Sequence, residues 1–170
     1  MTAQEAFGDV PGIDIKSSTT GWTCLEIKPE LRSKDLVVRF FRDQIAHAPA
    51  DLREKLCLAL DELLGNAFEH GSIAEPHSGV EFTLITTQRM VLFEVKDPGP
   101  GFALNAIQHA AVNNPPEDPL RHAEMRSKMG LRPGGFGILM VKQIADELIY
   151  NDQGNEVVFV KYLARDSGAA

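Results

Sequence analysis

Hydrophobic and polar positions change period several times along this chain, and each change marks an element. Alternation over Ile13 to Lys16 and Trp22 to Ile27 predicts two short antiparallel strands, joined by the turn-forming Ser17-Ser18-Thr19-Thr20-Gly21. Leu36, Val37, Phe40, Phe41 and Ile45 recur at helical spacing, so a helix is predicted over Lys34 to His47, ended by Ala48-Pro49-Ala50. A second helix is predicted over Asp51 to His70, with Leu52, Leu56, Ala59, Leu60, Leu63 and Ala67 on its apolar side and Gly71 as a left-handed cap. Val80 to Thr87 and Val91 to Lys96 read as adjacent strands, joined near Gln88-Arg89. Gly135 opens a helix through Ile138, Leu139, Val141, Ile144 and Ala145, and strands Leu148 to Asn151 and Glu156 to Leu163 flank Asp152-Gln153-Gly154-Asn155. From Ala103 to Pro133 the period fades. Asn113-Asn114-Pro115-Pro116-Glu117-Asp118-Pro119 cannot continue a helix or strand, the Met-containing stretch beyond it is polar and basic, and the whole reads as a mobile lid.

One polar stripe breaks the apolar pattern of the second helix. Glu62, Asn66 and His70 stand four apart, and since residues at i+4 drift only about 40°, they share one face. Most charged residues on helices simply face water. Beside a leucine-rich surface, however, a Glu and an Asn one turn on can divide proton acceptance from Mg²⁺ coordination through the amide oxygen. Asp97 ends a predicted strand and is followed by Pro98-Gly99-Pro100-Gly101-Phe102. Asp-Pro commonly serves a turn. A carboxylate placed there can also accept a hydrogen bond from a purine's exocyclic amine, with Gly99 and Gly101 letting the backbone pass beneath the ring without a Cβ. Gly134-Gly135-Phe136-Gly137 is either a plain turn into the next helix or a set of N–H groups aimed at a phosphate chain. Just before it come Arg121, Arg126, Lys128 and Arg132, which are either lid cations or ordinary solvated charges.

The 170 residues, 44% hydrophobic, suit a single domain with a real core, running from about residue 12 to 164. A net charge of −7 opposes a polyanion, so direct nucleic-acid binding is not expected. Cys24 and Cys57 sit in apolar stretches outside any CxxC pair, as free thiols would in a reducing cytoplasm. No apolar run reaches the roughly eighteen residues of a membrane span, and MTAQEAFGDVPG lacks the basic start and hydrophobic centre of an export signal. His47, His77, His109 and His122 show no zinc-ligand spacing, and no GxxxxGK[ST] occurs. Arg39 and Arg42 beside Phe40 and Phe41 make a mix that suits an interface or, more commonly, a core.

In order, E-x3-N-x3-H on a helix, D-x-G-x-G-F after a strand and G-G-x-G before a later helix resemble the Bergerat-fold (GHKL) ATPases. ALDELLGNAFEHG and GGFGILMVKQIADELIYNDQGNEVVFVKYL most resemble the stand-alone serine/threonine kinases of bacterial partner-switching systems, the anti-sigma factors. The likeness covers about Leu31 to Leu163. It implies an α/β (α+β) two-layer sandwich, a mixed, mostly antiparallel sheet with helices on one face. It implies ATP and Mg²⁺, with Asn66 on the metal, Glu62 as general base and Asp97 on the adenine amine. Gly99, Gly101 and Phe102 would shape the base pocket, Gly134, Gly135 and Gly137 the phosphate end, and His70 would lie near the nucleotide. The partners implied are a sigma factor, an anti-anti-sigma STAS-domain protein and a second copy of the chain. Two features depart from the usual pattern: Ile138 stands where Leu is more frequent, and MRSKMGLRP lengthens the lid. A nucleotide-gated binding module without phosphoryl transfer, and a detached histidine-kinase ATP-binding domain, are the competing expectations. A complete sensor kinase is not expected, because His47 at a helix end is the sole histidine before the Asn66 motif.

Overall fold

A computed structural model describes residues 1–71, 78–103, 110–130 and 135–164. Strands β1 (Ile13–Thr19), β2 (Trp22–Ile27), β3 (Val80–Thr87), β4 (Met90–Lys96), β5 (Glu147–Tyr150) and β6 (Glu156–Tyr162) form one six-stranded sheet in the order β1-β2-β3-β4-β6-β5. Every pairing among these strands is antiparallel, in keeping with the mostly antiparallel sheet that the family likeness implied. Helices α1 (Ala3–Phe7), α2 (Leu31–Gln44), α3 (Ala50–Asn66), α4 (Arg121–Lys128) and α5 (Gly137–Ile144) complete the described elements, with a π-helical turn at Ala67–Gly71 and a 3-10 turn at Ala111–Asn113.

The two layers follow from alternation. Leu25, Ile27, Phe82, Leu84, Phe93, Val95 and Phe159 are buried, while Trp22, Glu81, Lys96 and Tyr162 at alternate positions stand exposed. The buried set packs on Phe40, Phe41 and Ile45 from α2 and its end and on Leu56, Leu60 and Leu64 from α3. Phe93 is the hub, stacked on Phe159 at 4.5 Å and met edge-on by Phe41 at 5.4 Å. Phe40 and Phe41 are therefore core, and Arg42 pairs with Glu54 across the helices.

Several local expectations change. The polar leader folds into α1 because Thr2 and Glu5 make a capping box, the Glu5 N–H donating to Thr2 Oγ1 at 3.2 Å and the Thr2 N–H to Glu5 Oε2 at 2.6 Å. That short helix drives Phe7 onto Phe40, with ring centroids 5.0 Å apart. β1 runs to Thr19, past the serines assigned to a turn, because Gly21 at φ +75° lets a tighter turn reverse the chain. α2 ends at Gln44 rather than His47. Part of the expected lid is helical: Arg121–Lys128 contains mostly straight-chain residues that favour a helix. Gly71 is no left-handed cap; it is buried, and its bare Cα makes room for the Asp97 side chain.

Strand order positions the site. β4 and β6 are neighbours, paired Lys96 to Glu156, so the residue after β4 comes to lie beside the residue before β6. Asp97 and Asn155 therefore meet.

Candidate nucleotide site

α3 carries Glu62 and Asn66 on its last turns, half-buried, with Asn66 Nδ2 donating to Glu62 Oε1 at 3.3 Å. The chain then widens into the π-helical turn that bears His70, a local irregularity that is frequent at functional sites. Glu62 points at the start of α5: a Cβ on Gly137 would overlap its carboxylate. The glycine there makes room for an acid at the positive end of a helix.

Asp97 sits half-buried at the end of β4. Its Oδ1 accepts the Gly99 N–H at 2.8 Å, and among the described residues no donor reaches its other oxygen. Burial pushes its carboxyl up, against the pull of the Gly99 N–H and of nearby His70. An acid raised in the folded state binds protons that the unfolded chain has already released, so its contribution to stability falls as pH rises from the ordinary carboxylate range through the raised pKa. Asp97→Asn, which keeps an acceptor but carries no charge, is thus expected to gain thermal midpoint relative to wild type between acidic and neutral pH. Parallel melts over that range check this.

The loop after Asp97 packs on the turn before β6. Gly101 has φ +73°, and a Cβ on it would overlap Gln153 O; a Cβ on Gly154 would likewise overlap Phe102 O. Gly99 is buried against Gly71, where a Cβ would stand 2.7 Å from Gly71 O. Glycine is thus required at all three positions by backbone meeting backbone, at Gly99 and Gly101 whether or not a purine lies above them.

These elements surround a cavity of about 440 Å³, within the range that holds a nucleotide-sized ligand. Glu62, Asn66, His70, Asp97, Gly101, Phe102, Gly135 and Gly137 all line it. Gly99 does not line it, and Gly134 is outside the described residues, as are Arg132, His77 and His109. Of the expected lid cations, Arg126 reaches the wall from α4 while Arg121 and Lys128 do not. Gly137, not Gly135, is the first residue of α5; Gly135 holds φ +89°, and its carbonyl accepts the Ala111 N–H at 2.7 Å, so the 3-10 turn docks on the glycine loop.

A profile of the histidine kinase-like ATPase domain matches residues 27–161. The chain belongs to that family. As a histidine kinase-like ATPase domain it is an ATP-binding module of the GHKL type. No curated protein matches the sequence significantly.

Sequence reasoning missed several wall residues of this ATPase domain. Tyr150, at the end of β5, meets Phe102 edge-on at 5.8 Å, and its phenol is pushed up to about 12, first by burial and then by the charge of Glu62. It stays protonated at neutral pH. Asn155 and Glu69 also face the cavity. Inward alternation along β5 was the available signal for Tyr150; nothing local pointed to Asn155. Among the described residues no group of acids, histidines and cysteines could hold a metal by itself, no helix is long and apolar enough to cross a membrane, and both cysteines are free, Cys57 buried and Cys24 half-buried.

Proposed function

We propose that this ATPase domain is a protein serine/threonine kinase acting as a cytoplasmic bacterial anti-sigma factor, which phosphorylates an anti-anti-sigma STAS-domain partner, sequesters a sigma factor and works as a homodimer. The observation that carries the reading is the convergence of Glu62, Asn66, Asp97 and the start of α5 on one cavity. The choice of serine kinase rests on the likeness of ALDELLGNAFEHG to that subfamily.

Each residue has a distinct task in this reading. Asp97 accepts a hydrogen bond from the adenine amine, which guanine, with a carbonyl at that position, does not offer. The N-terminal end of α5 and the Arg126 side chain favour the phosphate chain. The donor set fits Mg²⁺: the amide nitrogen of Asn66 is committed to Glu62, so its amide oxygen is left for a hard cation. When bound, the metal neutralises charge on the phosphates. Glu62 takes the serine proton as the serine oxygen bonds to the γ-phosphorus, while the bond from that phosphorus to the bridging oxygen breaks and ADP leaves.

The second reading, a nucleotide-gated binding module with no phosphoryl transfer, rests on the lid that MRSKMGLRP lengthens. Incubation with Mg²⁺, γ-labelled ATP and candidate STAS-domain proteins separates the readings. Label on serine or threonine is expected and is expected to vanish in Asn66→Ala. Bound ATP without label would favour the module, acid-labile label on histidine would favour a detached histidine-kinase domain, and no ATP binding would overturn all of them.

A further inference from the structure

Asn155 is part of the turn Asn151 to Asn155, and its hydrogen bonds reach past that turn. Its Nδ2 donates to Asp97 O at 2.9 Å and to Gly99 O at 3.3 Å, while its own carbonyl accepts the Asp97 N–H at 2.9 Å. Both peptide groups of Asp97 are thus held by one residue. The direction of the Asn155 amide is set in turn by Asn151, whose Nδ2 donates to Asn155 Oδ1 at 2.9 Å. Asn151 is itself fixed, because its Oδ1 accepts the N–H groups of Gly154 at 2.7 Å, Asn155 at 3.1 Å and Glu156 at 3.3 Å. Turning the Asn155 amide over would set its oxygen against the carbonyls of Asp97 and Gly99, so only one orientation satisfies the network.

We infer that the Asn151–Asn155 pair is a positioning device for base selection, holding the backbone of Asp97 so that its carboxylate meets an adenine amine. This rests on the reading of Asp97 given above. Asn155 acts through Asp97, and Asn151 acts through Asn155. Gln153 Nε2 adds a bond to Gly99 O at 3.3 Å, which steadies the loop without touching Asp97 itself.

Calorimetric titration of the full chain with ADP and with GDP tests the inference, with a thermal melt of each variant. Asn155→Ala is expected to weaken ADP about tenfold, the loss of a pair of hydrogen bonds, while GDP binding is unchanged, so that the preference for adenine falls. Asn155→Asp has the same size but no donors and is expected to behave alike. Asn151→Ala should lower the preference less and add little on top of Asn155→Ala; it keeps the test open if Asn155 variants fold poorly. An unchanged ADP-to-GDP ratio in folded Asn155 variants would overturn the inference, whatever their melting points. Asp97→Ala separates the causes: if it too keeps the ratio, the base-reading role of Asp97 has failed; if it alone loses the ratio, only the positioning role has.

Discussion

Glu62→Ala is expected to lower phosphoryl transfer by about 10² to 10⁴-fold, the usual contribution of a positioned general base, and to leave ATP binding in place. The reason is local. Glu62 lies on α3 one turn before Asn66, from whose amide it accepts a hydrogen bond, and its carboxylate occupies the space that Gly137 leaves open at the start of α5. Removing it takes away the proposed proton acceptor yet leaves the Asp97 end of the cavity, the glycines and α5 untouched. It also withdraws a negative charge from the region where the phosphates are placed, so affinity is not expected to fall. Single-turnover transfer to a partner serine, with ATP affinity measured in parallel, checks both halves. Undiminished transfer would remove Glu62 from the chemistry and leave it as a partner of Asn66.

Gly101→Ala is expected to cost about 3 kcal/mol of stability, lowering the thermal midpoint by about 10 °C for a chain of this size. Left-handed φ accounts for about 1–2 kcal/mol. The remainder comes from the new methyl, which would overlap the Gln153 carbonyl oxygen and stand 3.0 Å from Asn155 N. Neither neighbour can yield cheaply: both are backbone, and Gly154 is packed as tightly on Phe102 O from the other side. Gly130 is the internal control. It shares the left-handed conformation at φ +67°, but nothing lies within 4 Å of its position, so Gly130→Ala should lose only the conformational part. Equal melts for the two variants would show that the two loops are not pressed together.

Local pattern alone located Glu62, Asn66, the strands on either side of Gln88-Arg89, Asp97 at a strand end and a glycine cluster before a helix. These are readable because helix and strand periods repeat within a few residues and because Gly and Pro mark breaks. α1 was also encoded locally, in a capping box that the polar composition of the leader obscured. The helical part of the lid was hidden for another reason: a polar, basic stretch with helix-favouring side chains has no apolar period to announce it.

The assembled site depended on tertiary structure. Asn155 lies 58 residues after Asp97, and only the pairing of β6 with β4 makes them neighbours. Gly71, Gly99, Gly101 and Gly154 are glycine because segments distant in sequence press backbone or side chain against them, a requirement invisible to any reading that moves along one segment at a time. The sequence by itself determined which polar side chains interrupt the apolar pattern, Glu62, Asn66 and Asp97 among them, and on which elements they ride, since those follow from short-range spacing. Which of them share a cavity, what fixes Asp97 and why the glycines cannot be larger were decided by strand order and register, since long-range contacts arise only when the sheet closes.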